Sequence, residues 1–130
     1  MCGINGIISK DKNKDKLIKS MNEKILHRGP DAEGIFVEGD VALGQRRLSI
    51  IDLAGGNQPI YNEDKSILIM YNGEVYNYKE LKEELTEYKF ETESDTEVVL
   101  HGYEKWGHDL PKKLRGMFAY AIYDKNKGEI

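Results

Sequence analysis

A continuous apolar run, ILIMY, occupies residues 67–71 and ends abruptly at the polar and flexible pair Asn72 and Gly73. A run of this length without alternating polar residues is typical of a strand that is buried on both faces. Such a strand would deliver the Asn-Gly pair to a site at its end. The same pair is the commonest sequence of a two-residue hairpin turn, and local sequence alone favours that turn.

Outward from this run, the hydrophobic periodicity predicts strands and helices along the whole chain. Towards the N-terminus we expect strands at residues 3–9, 33–37 and 41–48, a helix at 14–27 and a loop at 51–58. Towards the C-terminus we expect helices at 77–87 and 94–106 and a strand at 117–123. A hairpin beginning at 124–128 would have its return strand cut off at Ile130, so the chain is expected to be part of a larger protein.

Length and composition limit the classes of protein to which the chain can belong. A chain of 130 residues fits one domain, and 39% hydrophobic with 32% charged residues is a soluble globular composition. With 19 basic and 23 acidic side chains the net charge is −4, which does not favour a nucleic-acid partner. No apolar run approaches the ~18 residues of a membrane helix, and the N-terminus lacks a basic leader. We therefore expect a cytoplasmic protein.

The single cysteine, Cys2, excludes a disulfide scaffold and follows directly on Met1. Removal of Met1, which is usual before a small second residue, would make Cys2 the N-terminus. One residue would then carry both a thiol nucleophile and an α-amine, whose reference pKa of about 8 makes it a base near neutral pH. The alternative is an inert, half-buried thiol in the first strand.

A conventional Cys-His pair would need one of the three histidines, His27, His101 or His108. Nothing in the sequence marks any of them as a partner of Cys2. One cysteine and three scattered histidines also provide no metal-ligand spacing, so no metal site is expected.

Four further residues could serve an amide-hydrolysing thiol. Asn72 and Gly73 could donate to an oxyanion from a side-chain amide and a backbone N–H. Arg47 could bind a carboxylate in bidentate fashion, or it could be an exposed cation at a strand end. Asp95 could accept from a substrate ammonium, or it could be the second residue of a capping box over 94–97.

Taken together, the motifs of the chain resemble those of one family, and they occur in the family's order. They are MCGI (1–4), HRGPD (27–31), RLSIID (47–52), QP (58–59), NGEVYN (72–77), SDTE (94–97) and RGMFA (115–119). The set resembles class II glutamine amidotransferase domains. It is most similar to the N-terminal glutaminase domain of glutamine-hydrolysing asparagine synthetases, from which other class II amidotransferases differ at Pro30.

The resemblance implies an α+β fold, the N-terminal nucleophile (Ntn) hydrolase sandwich, in which two antiparallel sheets lie between helical layers (αββα). It assigns residues 1–130 to one class II glutamine amidotransferase domain. That domain is expected to be incomplete on its C-terminal side, because family members continue with more strands. The synthetase domain that follows in the family is expected to be absent from these residues.

The resemblance also implies catalytic roles for three residues. The thiolate of Cys2 would attack the side-chain amide of glutamine and pass its proton to the terminal amine. Asn72 and Gly73 would hold the oxyanion.

Substrate-binding roles follow from the same resemblance. Arg47 would bind the α-carboxylate of glutamine. Glu74 and Asp95 would bind its α-ammonium, beside the backbone of Ile50 and Ile51.

The implied activity is hydrolysis of glutamine to glutamate and ammonia, in the ammonia-supplying domain of an ATP-dependent asparagine synthetase. Glutamine and a C-terminal synthetase domain are the implied partners, and the oligomeric state, a homodimer included, is left open. No cofactor is expected in this domain, and ATP and Mg²⁺ would belong to the synthetase domain. Two alternatives stay open: a glutaminase domain of another class II amidotransferase, and a non-catalytic glutamine-binding fragment.

Overall fold

The computed structural model describes residues 2–49 and 56–130. The strands are β1 Gly3–Ile8, β2 Ala32–Glu38, β3 Val41–Arg47, β4 Ile60–Tyr61, β5 Ile67–Val75 and β6 Gly116–Asp124. The helices are α1 Lys14–Lys24, α2 Tyr78–Glu84, α3 Asp95–Trp106 and α4 Leu110–Lys113, with single 3₁₀ turns at Leu26–Arg28 and Gly107–Asp109.

The strands form two antiparallel sheets. The first has the order β1-β3-β2, with Gly3 opposite Arg46 and Ala32 opposite Arg47. The second has the order β4-β5-β6, and its central strand β5 pairs with β6 over its full length, from Ile67 opposite Asp124 to Val75 opposite Gly116.

The two sheets lie face to face between helices, and the central strand β5 is covered on both of its faces. Its residues Leu68 and Met70 pack with Phe36 and Leu43 of the first sheet. The alternate β5 positions belong to a second core cluster with helices α2 and α3, and these positions are Ile67, Ile69, Tyr71 and Val75. Helix α1 packs on β1 and β3 of the first sheet. Because side chains alternate across a strand, a strand covered on both faces needs the unbroken apolar run seen in the sequence.

Most predicted elements are found close to their expected positions, but the predicted turn at Asn72 and Gly73 is wrong. Strand β5 continues through both residues to Val75, because Asn72 pairs with Ala119 and Gly73 with Phe118. A hairpin turn would have ended the ladder at Tyr71. Pairing with β6 extends the ladder instead, although Phe118, the partner of Gly73, lies 45 positions further along the chain.

The remaining differences are smaller. The helix predicted at 14–27 ends at Lys24 and passes into the 3₁₀ turn Leu26–Arg28, and the helix predicted at 77–87 ends at Glu84. The short elements β4 and α4 were not expected. The hairpin expected after β6 is present as a bridge between Asp124 and Glu129.

Candidate active site

A cleft opens where the end of the first sheet meets β5 and the first turn of α3. It encloses about 480 Å³, counting the open space at its mouth. The residues that line it are Cys2, Arg47, Leu48, Gly56, Gln58, Tyr71, Asn72, Gly73, Glu74, Ser94, Asp95 and Thr96. Six of the eight predicted site residues are therefore brought together, and the other two, Ile50 and Ile51, lie outside the described residues.

Cys2 lies just before β1, at the sheet edge where β3 ends. The N–H of Leu48 donates to Cys2 Sγ at 3.3 Å, and the thiol lies 3.6 Å from the carbonyl oxygen of Leu48. Arg28 Nε donates to the carbonyl oxygen of Cys2 at 3.0 Å. These contacts hold both the backbone and the side chain of Cys2, and its half-buried sulfur lies at the wall of the cleft.

The segment 27–31 supports this end of the sheet from outside the cleft. Gly29 lies so close to the backbone of Arg46 and Arg47 that a Cβ would overlap it. Arg46 Nε donates to the carbonyl oxygen of Gly29 at 2.9 Å, and the N–H of Ser49 donates to Asp31 Oδ2 at 2.8 Å. The segment therefore anchors both β3 and the chain that leaves it.

Arg47, the last residue of β3, is only 4% exposed. Its Nη1 donates to Asn57 Oδ1 at 3.0 Å. The alternative of an exposed strand-end cation is wrong, because the strand ends inside the cleft. A buried guanidinium is suited to binding a carboxylate, since its planar donors match both oxygens and are shielded from water.

Asp95 opens α3 and is 4% exposed. Its Oδ2 accepts from the hydroxyl of Tyr71 at 2.7 Å and from the N–H of Val75 at 2.9 Å. Within the described part of the chain no donor reaches Oδ1, so this oxygen is available to a ligand. Burial, and then the charge of Asp95, raise the pKa of Glu74 and that of Tyr71. Asp95 and Glu74 thus bring carboxyl groups into the same cleft as the cation of Arg47.

The capping box predicted over 94–97 is only half correct. Ser94 is the N-cap, and its side chain accepts from the N–H of Thr96 at 3.2 Å. Glu97, however, accepts from the N–H groups of Glu91 and Thr92 and not from that of Ser94. N–H groups of the loop before α3 thus donate to the carboxylate of Glu97, which in a capping box would accept from the N–H of Ser94.

Asn72 and Gly73 lie in β5, facing the cleft from its floor. Asn72 Oδ1 is buried without a partner, and its side-chain NH₂ makes no hydrogen bond to residues 2–49 or 56–130. That amide donor is free to bind a ligand. Gly73 packs directly on the backbone of Met117 and Phe118, where a side chain would not fit.

Gln58 and Tyr71 are two of the six lining residues that were not predicted as site residues from the sequence. Gln58 binds the backbone of Tyr71 twice, with Oε1 accepting at 2.5 Å and Nε2 donating at 3.1 Å. Tyr71 itself holds Asp95. Tyr71 belongs to the apolar run, and nothing in that run indicated a functional role for its hydroxyl. Gln58 was quoted only as part of a motif, and its position next to Pro59 was the one available clue.

None of the three histidines lines the cleft, so a Cys-His pair is not formed. A model of the glutamine amidotransferase domain matches residues 1–130. The chain belongs to the glutamine amidotransferase domain family.

Relatives of this amidotransferase domain are asparagine synthetases. The chain is 48% identical over 133 residues to asparagine synthetase [glutamine-hydrolyzing] 1 of Bacillus subtilis, covering 97% of this chain and 21% of that protein. It is 46% identical over 151 residues to putative asparagine synthetase [glutamine-hydrolyzing] 2 of Methanocaldococcus jannaschii, covering 100% of this chain and 29% of that protein. The chain spans about a fifth to a third of these relatives and is homologous to their N-terminal glutaminase region.

The fold of the amidotransferase domain also has a match among solved structures. Glutamine phosphoribosylpyrophosphate (PRPP) amidotransferase from B. subtilis, complexed with ADP and GMP, superposes with a TM-score of 0.78 at 22% identity, covering 96% of this chain and 35% of that chain. The predicted Ntn-hydrolase sandwich is confirmed.

In the described ranges of the amidotransferase domain, no helix has the length and apolar character needed to cross a membrane. Over the same ranges, no cluster of three or more His, Cys, Asp or Glu side chains is arranged to hold a metal ion.

Proposed function

We propose that the domain hydrolyses glutamine to glutamate and ammonia with Cys2 as nucleophile. The observation that carries the proposal is the single cleft that unites Cys2 with Arg47, Asp95 and the Asn72–Gly73 pair. A free amino acid presents one carboxylate and one ammonium, and the cleft offers a buried cation, a buried carboxylate and a half-buried carboxylate. The match of charges supports a zwitterionic substrate.

Glutamine binding would use the two ends of this charge pattern. Arg47 binds the α-carboxylate through its guanidinium. Asp95 Oδ1 and Glu74 accept from the α-ammonium, and the roles of Ile50 and Ile51 are proposed from the family resemblance alone. The side-chain amide of glutamine then extends towards Cys2.

The reaction proceeds in two steps. The sulfur of Cys2 attacks the amide carbon, and its proton passes to the α-amine of Cys2, which is free once Met1 is removed. Asn72 Nδ2 and the N–H of Gly73 stabilise the oxyanion. The C–N bond breaks as the same amine returns the proton to the leaving nitrogen, and ammonia departs. Water then attacks the thioester, which releases glutamate and restores the thiol.

In the intact protein we propose that this ammonia serves an ATP-dependent asparagine synthetase. The similarity to the glutaminase region of asparagine synthetases supports this acceptor. ATP and Mg²⁺ would be used by the C-terminal synthetase domain, and no residue of this cleft is proposed to hold either.

The test is to incubate the protein with glutamine and measure glutamate and ammonia. We expect equal amounts of both products, and no turnover in Cys2→Ala. Turnover that survives Cys2→Ala would exclude Cys2 as nucleophile. Glutamine binding without turnover in protein of confirmed mass lacking Met1 would favour the non-catalytic alternative.

A further inference from the structure

A second polar cluster lies on α3 outside the cleft and takes no part in the proposed hydrolysis. It consists of Glu97, His101 and Glu104, which we call the α3 triad. His101 is 1% exposed, with Nδ1 at 2.7 Å from Glu104 Oε2 and Nε2 at 3.5 Å from Glu97 Oε1. Its ring stacks on Tyr88 and meets Phe90 edge-on, with centroids 4.9 and 5.0 Å apart.

Both ring nitrogens of His101 face carboxylates: Nδ1 is hydrogen-bonded to Glu104, whereas Nε2 lies within ion-pair distance of Glu97 without a hydrogen bond. A neutral ring carries one N–H and one lone pair, and a lone pair here would face a carboxylate oxygen. Burial lowers the pKa of His101, but the carboxylates of Glu104 and Glu97 outweigh it and raise the pKa to about 9. Burial raises the pKa of Glu97, but its interaction with His101 and its hydrogen bonds from Glu91 and Thr92 lower the pKa to about 2. The triad is therefore a buried cation between two anions.

Other charged groups near His101 are exposed to water. Lys89 and Glu91, from the segment before α3, and Glu63 and Lys65, from the connection between β4 and β5, line the cavity beside His101. Two cations oppose two anions there, and solvent screens all four. The protonation state of His101 is therefore set by Glu97 and Glu104.

One arm of the triad reaches the wall of the cleft. Glu97 Oε2 accepts from both the N–H and the hydroxyl of Thr92, each at 2.7 Å. Thr92 Oγ1 in turn accepts from the N–H of Ser94 at 3.2 Å, and Ser94 Oγ accepts from the N–H of Thr96 at 3.2 Å. Ser94 and Thr96 line the cleft on either side of Asp95.

The other arm reaches the strand that forms the floor of the cleft. Asn62 Nδ2 donates to Glu104 Oε1 at 2.9 Å, and the N–H of Ile67 donates to Asn62 Oδ1 at 2.9 Å. Ile67 begins β5, the strand that carries Asn72, Gly73 and Glu74. The triad thus joins the two elements between which the α-ammonium of glutamine is proposed to bind.

We propose that His101 is a positioning residue for glutamine binding, whose imidazolium keeps Glu97 bound to residues 92–96 and so keeps Asp95 in place. The proposal rests on the proposed function, because glutamine is the ligand that Asp95 receives. Without the cation, a buried carboxylate (Glu97) and a partly buried one (Glu104) flank a neutral side chain, and residues 92–96 lose their anchor. Binding weakens as a result, whereas Cys2, Asn72 and Gly73 keep their positions.

Steady-state kinetics of His101→Gln test the proposal. His108→Gln is the matched control, because the side chain of His108 is 87% exposed and contacts Glu129, which is not a residue of the triad. We expect the KM for glutamine to rise about tenfold, the effect of losing one charged hydrogen-bond partner, with kcat nearly unchanged. His108→Gln should behave as the parent protein. A fall in kcat at constant KM would overturn the proposal.

Calorimetric titration of glutamine into Cys2→Ala separates this proposal from the proposed function. We expect Cys2→Ala to bind glutamine and the double variant with His101→Gln to bind it about tenfold more weakly. Equal binding by both overturns the role of His101 alone. Absence of glutamine binding to Cys2→Ala overturns the proposed function and this inference with it.

A pair of substitutions at Thr92 keeps the test decisive if His101→Gln fails to fold. Thr92→Val removes the hydroxyl that links Glu97 to Ser94 and is expected to raise KM, whereas Thr92→Ser retains it and should restore the parent value. Equal KM values for the two overturn the proposal. In the parent protein, nitrogen NMR at pH 7.5 should show both ring nitrogens of His101 protonated, and a neutral ring would contradict the inference.

Discussion

The hydroxyl of Tyr71 donates a 2.7 Å hydrogen bond to Oδ2 of Asp95, and this bond joins the central strand of the second sheet to the first turn of α3 inside the cleft. Tyr71 is buried, as is Asp95. Burial and the neighbouring carboxylate both raise the pKa of Tyr71, so its hydroxyl stays protonated and keeps donating at physiological pH. The bond occupies one oxygen of Asp95 and leaves the other for a ligand.

Tyr71→Phe should weaken both the fold and glutamine binding. The change removes a donor from a buried carboxylate, which lowers the free energy of unfolding by about 1–3 kcal/mol. Because Val75 still donates to Oδ2, Asp95 remains in the cleft and the KM for glutamine should rise while activity persists. Urea unfolding and initial rates measure the two effects. Tyr123→Phe is a control, and an unchanged KM in Tyr71→Phe would contradict the role of Asp95 in binding.

Asn72→Ala should act on the chemical step. Its side-chain NH₂ has no partner in the described residues, so its loss breaks no structural hydrogen bond. Removing one oxyanion donor costs about 100- to 1000-fold in rate, and kcat should fall by that factor with little change in KM. Initial-rate measurements check this, with the exposed Asn126→Ala as control. A kcat within a few-fold of the parent would remove Asn72 from the oxyanion site.

Gly29→Ala should destabilise the sheet edge that holds Cys2. The new methyl group would overlap the backbone of Arg46, which is paired with strands on both sides, and that of Arg47, which is paired with β2, so this backbone cannot move freely. Overpacking of this kind costs about 1–3 kcal/mol or more. Thermal unfolding should show the loss, together with reduced glutaminase activity.

Gly39→Ala is the matched control for Gly29→Ala. Gly39 has a positive φ of 55° but no atom within 4 Å of an added Cβ, so only the backbone preference is lost, about 1 kcal/mol. Gly39 also lies at the far end of the β2–β3 hairpin from Arg47. Equal losses of stability and activity in the two variants would contradict the close packing described at Gly29.

The α3 triad should make stability depend on pH in two windows. The pKa of His101 is raised from 6.5 to about 9, so its contribution is complete below pH 6.5 and is lost as pH rises through 9. The pKa of Glu97 is lowered from 4.5 to about 2, so its contribution is present above pH 4.5 and is lost as pH falls towards 2. Denaturant unfolding between pH 3 and 10 should therefore give a maximum near pH 5–6.

His101→Gln tests the assignment of the alkaline window. The decrease in unfolding free energy between pH 6.5 and 9, on the order of 3 kcal/mol for a shift of this size, should disappear in the variant. His108→Gln should retain it. The same alkaline decrease in all three proteins would assign the effect to another group.

Much of the fold followed from local patterns, because helical and strand periodicity reflects which face is buried. The errors lie where a distant partner overrules the local preference. Asn72 and Gly73 form a turn in isolation, but β6 pairs with them and extends β5. Glu97 would complete a capping box by sequence, but the loop before it takes its carboxylate.

The sequence predicted six of the residues that line the cleft but not their environment. The motifs pointed to Cys2, Arg47, Asn72, Gly73, Glu74 and Asp95, and the cleft contains all six. That Arg47 is buried, and that Tyr71 and Gln58 hold the walls, depends on how the two sheets pack. None of these contacts joins neighbours in sequence, so no local pattern could indicate them.

By itself, the sequence of this protein determined the alternation of strands and helices and a set of ordered motifs sufficient to indicate an amidotransferase sandwich. Only the tertiary structure decided which polar groups are buried: Tyr71 with Asp95 in the cleft, and, behind it, His101 of the α3 triad, whose members already lie one turn apart on α3 and which Tyr88 and Phe90 cover. The reason is physical. Apolar periodicity is imposed residue by residue along the chain, whereas the charge state and the hydrogen-bond partners of a buried polar group depend on elements that meet only after the sheets have packed.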